Sequence, residues 1–421
     1  MKDPFVFPFD TNFILRKKKA IKREFLLRQD LPEKKIAILG GSTTSEIKDI
    51  LELFLLKEKI KPIFYESGFN RYYEDIMFDE PKLSQFKPDI LYIHTTGVNI
   101  NYPEGFIVDK EDIEDKIKNE FMKFKDLWTK IQEKYNCAVV QNNFELPYYR
   151  VLGNLDSSAI SGKTYFLSRL NLEFAKYAQE NKNFYINDIN YLSSWLGLDK
   201  WHDRAHWYSY KYAISYEAIP LVCYNLANII KSIYGQAKKC LVLDLDNILW
   251  GGVIGDVGME NIQIGRETPL AEAYAEFQRY IKELKERGVI LAVCSKNDPE
   301  IARQGLAHPD SILKFDDFAV FKANWKRKDE NIIDIAREIN IGLDSLVFID
   351  DNPAEREIVK ANLQEVTVPD MGNNVEQYIG IIDGGKYFEP AAISFDDINR
   401  NSYYQGNLKR TSEERNFLNY G

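Results

Sequence analysis

The chain has 421 residues, 55 Lys and Arg against 64 Asp and Glu for a net charge of −9, and is 45% hydrophobic and 28% charged. These values describe a soluble globular protein of two or three domains, and the negative balance excludes a general nucleic-acid binder, whose partner is a polyanion. No apolar stretch approaches the roughly 20 residues that cross a bilayer, no signal-type segment follows Met1, and Cys137, Cys223, Cys240 and Cys294 are scattered without a CxxC pair, against a disulfide framework or structural zinc. The reading is a cytoplasmic protein with neither nucleic acid nor membrane as partner.

The basic run at residues 16–23 reads as a solvated helix face. Beyond it, apolar runs alternate with helical patterns, which predicts α/β architecture: two Rossmann-like three-layer domains with parallel sheets. Strands are expected at 35–39, 62–65, 90–94 and 138–141, with helices at 46–57 and 113–135, and an amphipathic stretch at 213–234 closes this half. Residues 235–239 read as a polar linker, which divides 1–235 from 236–421. In the second half, strands are expected at 240–245, 289–294 and 346–350. Leu270, Tyr274, Phe277, Ile281 and Leu284 share one face of a helix between the first two, and a helix at 329–339 leads into the third. After Asp370 the patterning weakens, and 413–421 reads as the start of a helix, as though the chain were truncated.

The chemistry concentrates at Asp244-Leu-Asp246-Asn247-Ile248. Side chains two apart on an extended strand point the same way, so both carboxylates face one side of a strand end, an arrangement suited to magnesium and phosphoryl chemistry. Three further stretches follow in order: Val293-Cys294-Ser295-Lys296-Asn297 at a second strand end, Trp325-Lys-Arg-Lys328 before a helix, and Asp350-Asp351-Asn-Pro-Ala-Glu355 at a third strand end. Taken singly they are an acidic turn, an N-cap and a surface ion pair. Taken together they converge, because an open parallel sheet binds ligands beyond the carboxyl ends of its strands.

This ordered set resembles the haloacid dehalogenase (HAD) superfamily of aspartate-nucleophile phosphotransferases, with Ile248 where Thr or Val is usual. The stretches Asp246-Asn-Ile-Leu-Trp250-Gly-Gly, Cys294-Ser-Lys-Asn297 and Asp350-Asp-Asn-Pro-Ala-Glu-Arg356 are similar to FkbH-like proteins. The resemblance implies that Asp244 attacks phosphorus to form an aspartyl-phosphate and that Asp246 acts as general acid and then base. It implies magnesium on Asp244, the carbonyl of Asp246, Asp350 and Asp351, with Glu355 in support. Ser295 and Lys328 would then steady the phosphoryl oxygens, and Asn247 and Asn297 would touch the substrate. The implied enzyme is a magnesium-dependent phosphomonoesterase for a small sugar or polyol phosphate. The alternative is an FkbH-like glyceryl transferase using 1,3-bisphosphoglycerate and an acyl carrier protein, with a thioester on Cys294; against that stands Cys294 as a small buried hydrophobe. The gaps 250–292 and 298–324 leave no room for an inserted cap, so the second domain is read as capless and the first as a candidate substrate-recognition cap.

In the first half, Leu39-Gly-Gly-Ser42-Thr-Thr44 follows a strand and opens a helix, a place suited to an anion. With Gly68, Gly97-Val-Asn99 and Asp203-Arg-Ala-His206 it is similar to the SGNH hydrolases, so an SGNH/flavodoxin-like domain is expected. That resemblance implies Ser42 as nucleophile, His206 as base oriented by Asp203, and Gly and Asn as oxyanion donors. Gly41 stands where the family has Asp, and Asn99 lacks the following Asp. An N-terminal esterase is therefore one alternative. The other is a domain that keeps the fold for recognition, with Arg71, Arg150 and Arg204 as cations for a phosphate or sugar acid.

Overall fold

The computed structural model describes residues 3–27, 31–106 and 109–394. The helix start expected at 413–421 lies outside them. The chain divides into two compact units, Met1–Lys231 and Ser232–Gly421.

In the first unit, α1 (Thr11–Leu26) begins at Asp10, whose carboxylate accepts from Phe13 N. The basic run on this helix is not simply solvated. Lys18 pairs with Glu46 and Asp49, and Lys22 with Glu52, so the acidic face of the next helix takes up the charge. The chain then alternates β1 (Glu33–Gly40), α2 (Ser45–Lys57), β2 (Lys61–Glu66), β3 (Ile90–His94), α3 (Lys110–Tyr135), β4 (Ala138–Asn142), α4 (Lys163–Glu180) and β5 (Phe184–Asn187). The strands form one parallel sheet in the order β2-β1-β3-β4-β5, the flavodoxin-like order. Ala37, Leu39, Leu91, Ile93 and Val139 face a core built with α3 and α4. After α5 (Arg204–Tyr210) comes α6 (Ile219–Ile233), whose Asn225 reaches Asn187 at the end of β5. The helix expected over 213–234 starts six residues later. Ser215 Oγ accepts from Ala218 N there, and a local side-chain bond of this kind competes with helix formation.

The second unit runs β6 (Cys240–Leu243), α7 (Ile254–Val257), α8 (Pro269–Glu286), β7 (Ile290–Ser295), α9 (Pro299–Ala307), β8 (Val320–Ala323), α10 (Lys328–Glu338), β9 (Leu346–Ile349), α11 (Pro353–Asn362) and α12 (Tyr378–Gly384). Its parallel sheet has the order β8-β7-β6-β9. Leu241, Leu243, Leu291, Val293, Val347 and Ile349 face a core with α8, α9 and α12. Cys240, Val242, Ala292, Cys294 and Phe348 face a second core with α10 and α11. The period-2 alternation of the strands thus sorts the two faces of a three-layer unit. No inserted domain stands between β6 and β7 or between β7 and β8.

β5 and β8, neither of them expected, are sheet-edge strands as short as β6 and β9, but each carries a polar residue, Asn187 or Lys322, and is only half-buried at its centre, so no unbroken apolar run marks it. No helix among the described residues is long and apolar enough to cross a membrane.

Candidate active site

Strand β6 ends at Leu243, so the strand expected over 240–245 is shorter than the apolar run. Asp244 N still donates to Ile349 O at 3.0 Å, but Asp244 Oδ1 then accepts from Leu245 N at 2.8 Å and the chain turns away. Asp246 therefore sits in the loop, not on the strand.

Across β6 and β9, Asp350 follows directly on Ile349, with Oδ1 accepting from Asn352 N at 2.9 Å. Lys328, first residue of α10, reaches both carboxylates: Nζ donates to Asp244 Oδ2 at 2.6 Å and to Asp350 Oδ2 at 2.5 Å. All three are buried. Asp244, Asp350 and Asp351 each offer one carboxylate oxygen, and these atoms lie within 4.8 Å of one another. Arg356 of α11 steadies the acidic turn, donating from Nη1 to the carbonyls of Asp350 and Asp351, both at 2.7 Å. Its signal in the sequence was a basic residue one helical turn into the element that follows the acidic pair.

Burial works against the Lys328 charge, but Asp244 and Asp350 outweigh it and hold the ammonium protonated. Asp350 is pushed above the usual carboxylate range by burial and by the Asp244 charge, and Asp351 by the same two causes. Three carboxylates against one ammonium leave two negative charges among oxygen ligands, a donor set that fits a small hard divalent cation.

Asn247 occupies the left-handed region, φ 55°. Its Oδ1 accepts from Gly252 N at 2.9 Å, its Nδ2 donates to Asp351 Oδ2 at 3.2 Å, and its carbonyl accepts from Tyr378 OH at 3.2 Å. Asn297 Nδ2 donates to Asp246 Oδ2 at 3.0 Å. Both amides, expected at the substrate, thus hold carboxylates of the site. Asp246 Oδ1 accepts from Trp250 Nε1 at 2.8 Å and Ile254 N at 3.1 Å. Burial raises the Asp246 pKa against these donors, with the Asp244 and Asp351 charges adding to the rise. Ser295 closes β7, buried, its carbonyl accepting from Asn324 N. Ile248 is fully buried in the core beneath the loop, which accounts for an apolar residue there. Cys294 Sγ is buried 3.6 Å from the Lys328 carbonyl, and burial pushes its thiol far up.

In the first unit, Gly41 N donates to His94 O, and Asn99 Nδ2 donates to Gly41 O at 2.7 Å. A Cβ on Gly41 would lie 2.5 Å from that amide, so a side chain there would displace Asn99 from the turn before Ser42. His206 Nδ1 lies 2.8 Å from Asp203 Oδ2, while Asp203 Oδ1 caps α5 through His206 N. Ser42 Oγ is buried with no hydrogen-bond partner, so Asp203 and His206 come together without engaging it. Arg204 stacks over Tyr148 and Tyr208, and Arg71 pairs with Asp75. Arg150 is exposed, its carbonyl accepting from Gly153 N.

The model of the FkbH N-terminal domain matches residues 35–231. No curated protein matches the sequence. The chain is similar to the solved N-terminal part of the protein BF1531 from Bacteroides fragilis, which contains a phosphatase domain and was crystallised complexed with Mg. The TM-score is 0.81 and the identity 32%, over 89% of this chain and 99% of that chain. An acetyl xylan esterase, AlAXEase, aligns over 46% of this chain and 97% of that chain at 12% identity and TM-score 0.28, too low to relate the two.

Proposed function

This chain belongs to the FkbH-like family, and on that premise we propose that it is a magnesium-dependent phosphomonoesterase acting on a small sugar or polyol phosphate through an aspartyl-phosphate on Asp244. The observation that carries the reading is the buried Asp244–Lys328–Asp350 bridge with Asp351 beside it. The similar Bacteroides protein, with its phosphatase domain and Mg, supports the reaction class and the metal.

Magnesium would be held by Asp244, Asp350 and Asp351 with the Asp246 carbonyl, and when bound it supplies charge neutralisation at the phosphoryl group. The Asp244 carboxylate attacks phosphorus as the ester P–O bond breaks, and Asp246 gives its proton to the departing oxygen. Water then attacks the phosphorus of the aspartyl-phosphate, the Asp246 carboxylate takes the water's proton, and phosphate leaves with Asp244 restored. Lys328 and Ser295 steady the phosphoryl oxygens. Burial raises the Asp246 pKa, the direction that favours a carboxyl group able to give a proton and take one back.

The acyl-transfer alternative, with an acyl carrier protein as partner, has less support. A thioester needs a reactive thiolate, and Cys294 is buried with its pKa far up. The test is phosphate release from a panel of sugar, polyol and glycerate phosphates, with magnesium and with EDTA, for wild type and Asp244→Asn. Turnover that needs magnesium and is lost in Asp244→Asn supports the reading. A folded wild type that releases phosphate from none of them refutes it.

A further inference from the structure

We propose that Trp250 is a positioning residue for the proton donor Asp246, and that Gly305 of α9 is the seat that holds it; this rests on the phosphatase reading. Trp250 lies four residues after Asp246 and is fully buried. Its Nε1–H donates to Asp246 Oδ1 at 2.8 Å, and Ile254 N donates to the same oxygen at 3.1 Å. A carboxyl oxygen that already faces two N–H hydrogens is a poor place for a proton. The donated proton therefore belongs on Oδ2, where Asn297 Nδ2 is a single neighbour at 3.0 Å. With Oδ1 anchored, the carboxyl group cannot turn about its Cβ–Cγ bond to exchange its oxygens, so Oδ2 stays presented.

The anchor is itself fixed from behind. A Cβ on Gly305 would lie 2.5 Å from Cη2, 2.7 Å from Cζ2 and 2.9 Å from Cζ3 of the Trp250 ring. The bare helix surface at 305 is thus the cavity for the six-membered ring, and any side chain there pushes the indole from its place. The order of action is Gly305, then the indole, then Asp246 Oδ1, then the proton on Oδ2. A tryptophan serving as core alone would need the room at Gly305 but not the 2.8 Å bond to a site carboxylate.

The test compares an alkyl phosphate, glycerol 1-phosphate, with an aryl one, 4-nitrophenyl phosphate. The nitrophenolate leaves as a stable anion and needs little proton donation, whereas the alkoxide needs it. The second step, common to both esters, also uses Asp246, so the readout is kcat/KM, which extends only to formation of the aspartyl-phosphate: in Gly305→Ala and Trp250→Phe it should fall roughly ten- to a hundredfold on the alkyl ester and by less than about threefold on the aryl ester. Asp246→Asn should show the larger loss of the same kind. The proposal is overturned when Asp246→Asn discriminates between the esters but Gly305→Ala and Trp250→Phe lower both equally or neither. An Asp246→Asn variant that does not discriminate removes the donor itself and the proposal with it. Where the wild type does not turn over glycerol 1-phosphate, the best alkyl phosphate of the panel takes its place, and a folded wild type that releases phosphate from none of them refutes the phosphatase reading beneath both. Should Trp250→Phe fail to fold, Gly305→Ala, with the stronger helix former, decides alone.

Discussion

Replacing Lys328 with Met keeps the length of the side chain but removes the ammonium that Asp244 and Asp350 share. Their Oδ2 atoms each touch the same nitrogen, so they lie at most about 5 Å apart. At an effective dielectric near 20, two like charges at that separation repel by about 3 kcal/mol. Removing one partner from a buried ion pair costs about 3–5 kcal/mol, and Lys328 is only 3% exposed, so solvent screens little of this. In EDTA, Lys328→Met should therefore lose about 3–5 kcal/mol in the transition of the second unit. Excess magnesium should return much of that loss, because a divalent cation meets the same carboxylates, and the magnesium response should exceed that of wild type. Urea unfolding followed by tryptophan fluorescence, with EDTA and with magnesium, measures both quantities. A loss under about 1 kcal/mol in EDTA, the size of a surface pair, would refute the shared-cation argument. So would a magnesium response no larger than that of wild type.

Burial lifts Glu145 from 4.5 to about 7 and lowers His94 from 6.5 to about 4. The raised acid stabilises the fold fully below pH 4.5 and loses this as pH rises to about 7; the lowered imidazole stabilises it fully above 6.5 and loses this as pH falls to about 4, each by about 3 kcal/mol. The two oppose each other in wild type, so Glu145→Gln should show stability rising from about pH 4 to 6.5 and His94→Gln stability falling from about 4.5 to 7; flat profiles in both variants would contradict this. Gln278, fully buried, accepts from Ile312 N and Leu313 N and donates to Leu249 O, so Gln278→Leu should cost about 2–4 kcal/mol in equilibrium unfolding. Cys294 should resist iodoacetamide in the folded protein, and Cys294→Ala should keep its phosphate release; rapid alkylation would return weight to acyl transfer. Ser42 should not label with a fluorophosphonate, because its Oγ is buried and unengaged by His206; labelling lost in Ser42→Ala would favour an N-terminal esterase.

The sequence alone determined the α/β class, the central strands and the residue types at the strand ends. A short apolar run bounded by polar residues is a local signal, and carboxylates, a hydroxyl and a lysine at successive strand ends carry their chemistry whatever they touch. Only the tertiary structure decided which of these groups share a cation or meet a donor. Lys328 meets Asp244 across 84 residues and Asp350 across 22, and Asn297 meets Asp246 across 51, separations at which no periodicity connects two positions. The same holds for β5 and β8, whose four residues become strands because an edge of a sheet is there to receive them. Trp250 reads as one more apolar residue until its ring is seen against Gly305 and its N–H against Asp246, because a side chain's role here is set by what packing brings to each of its ends.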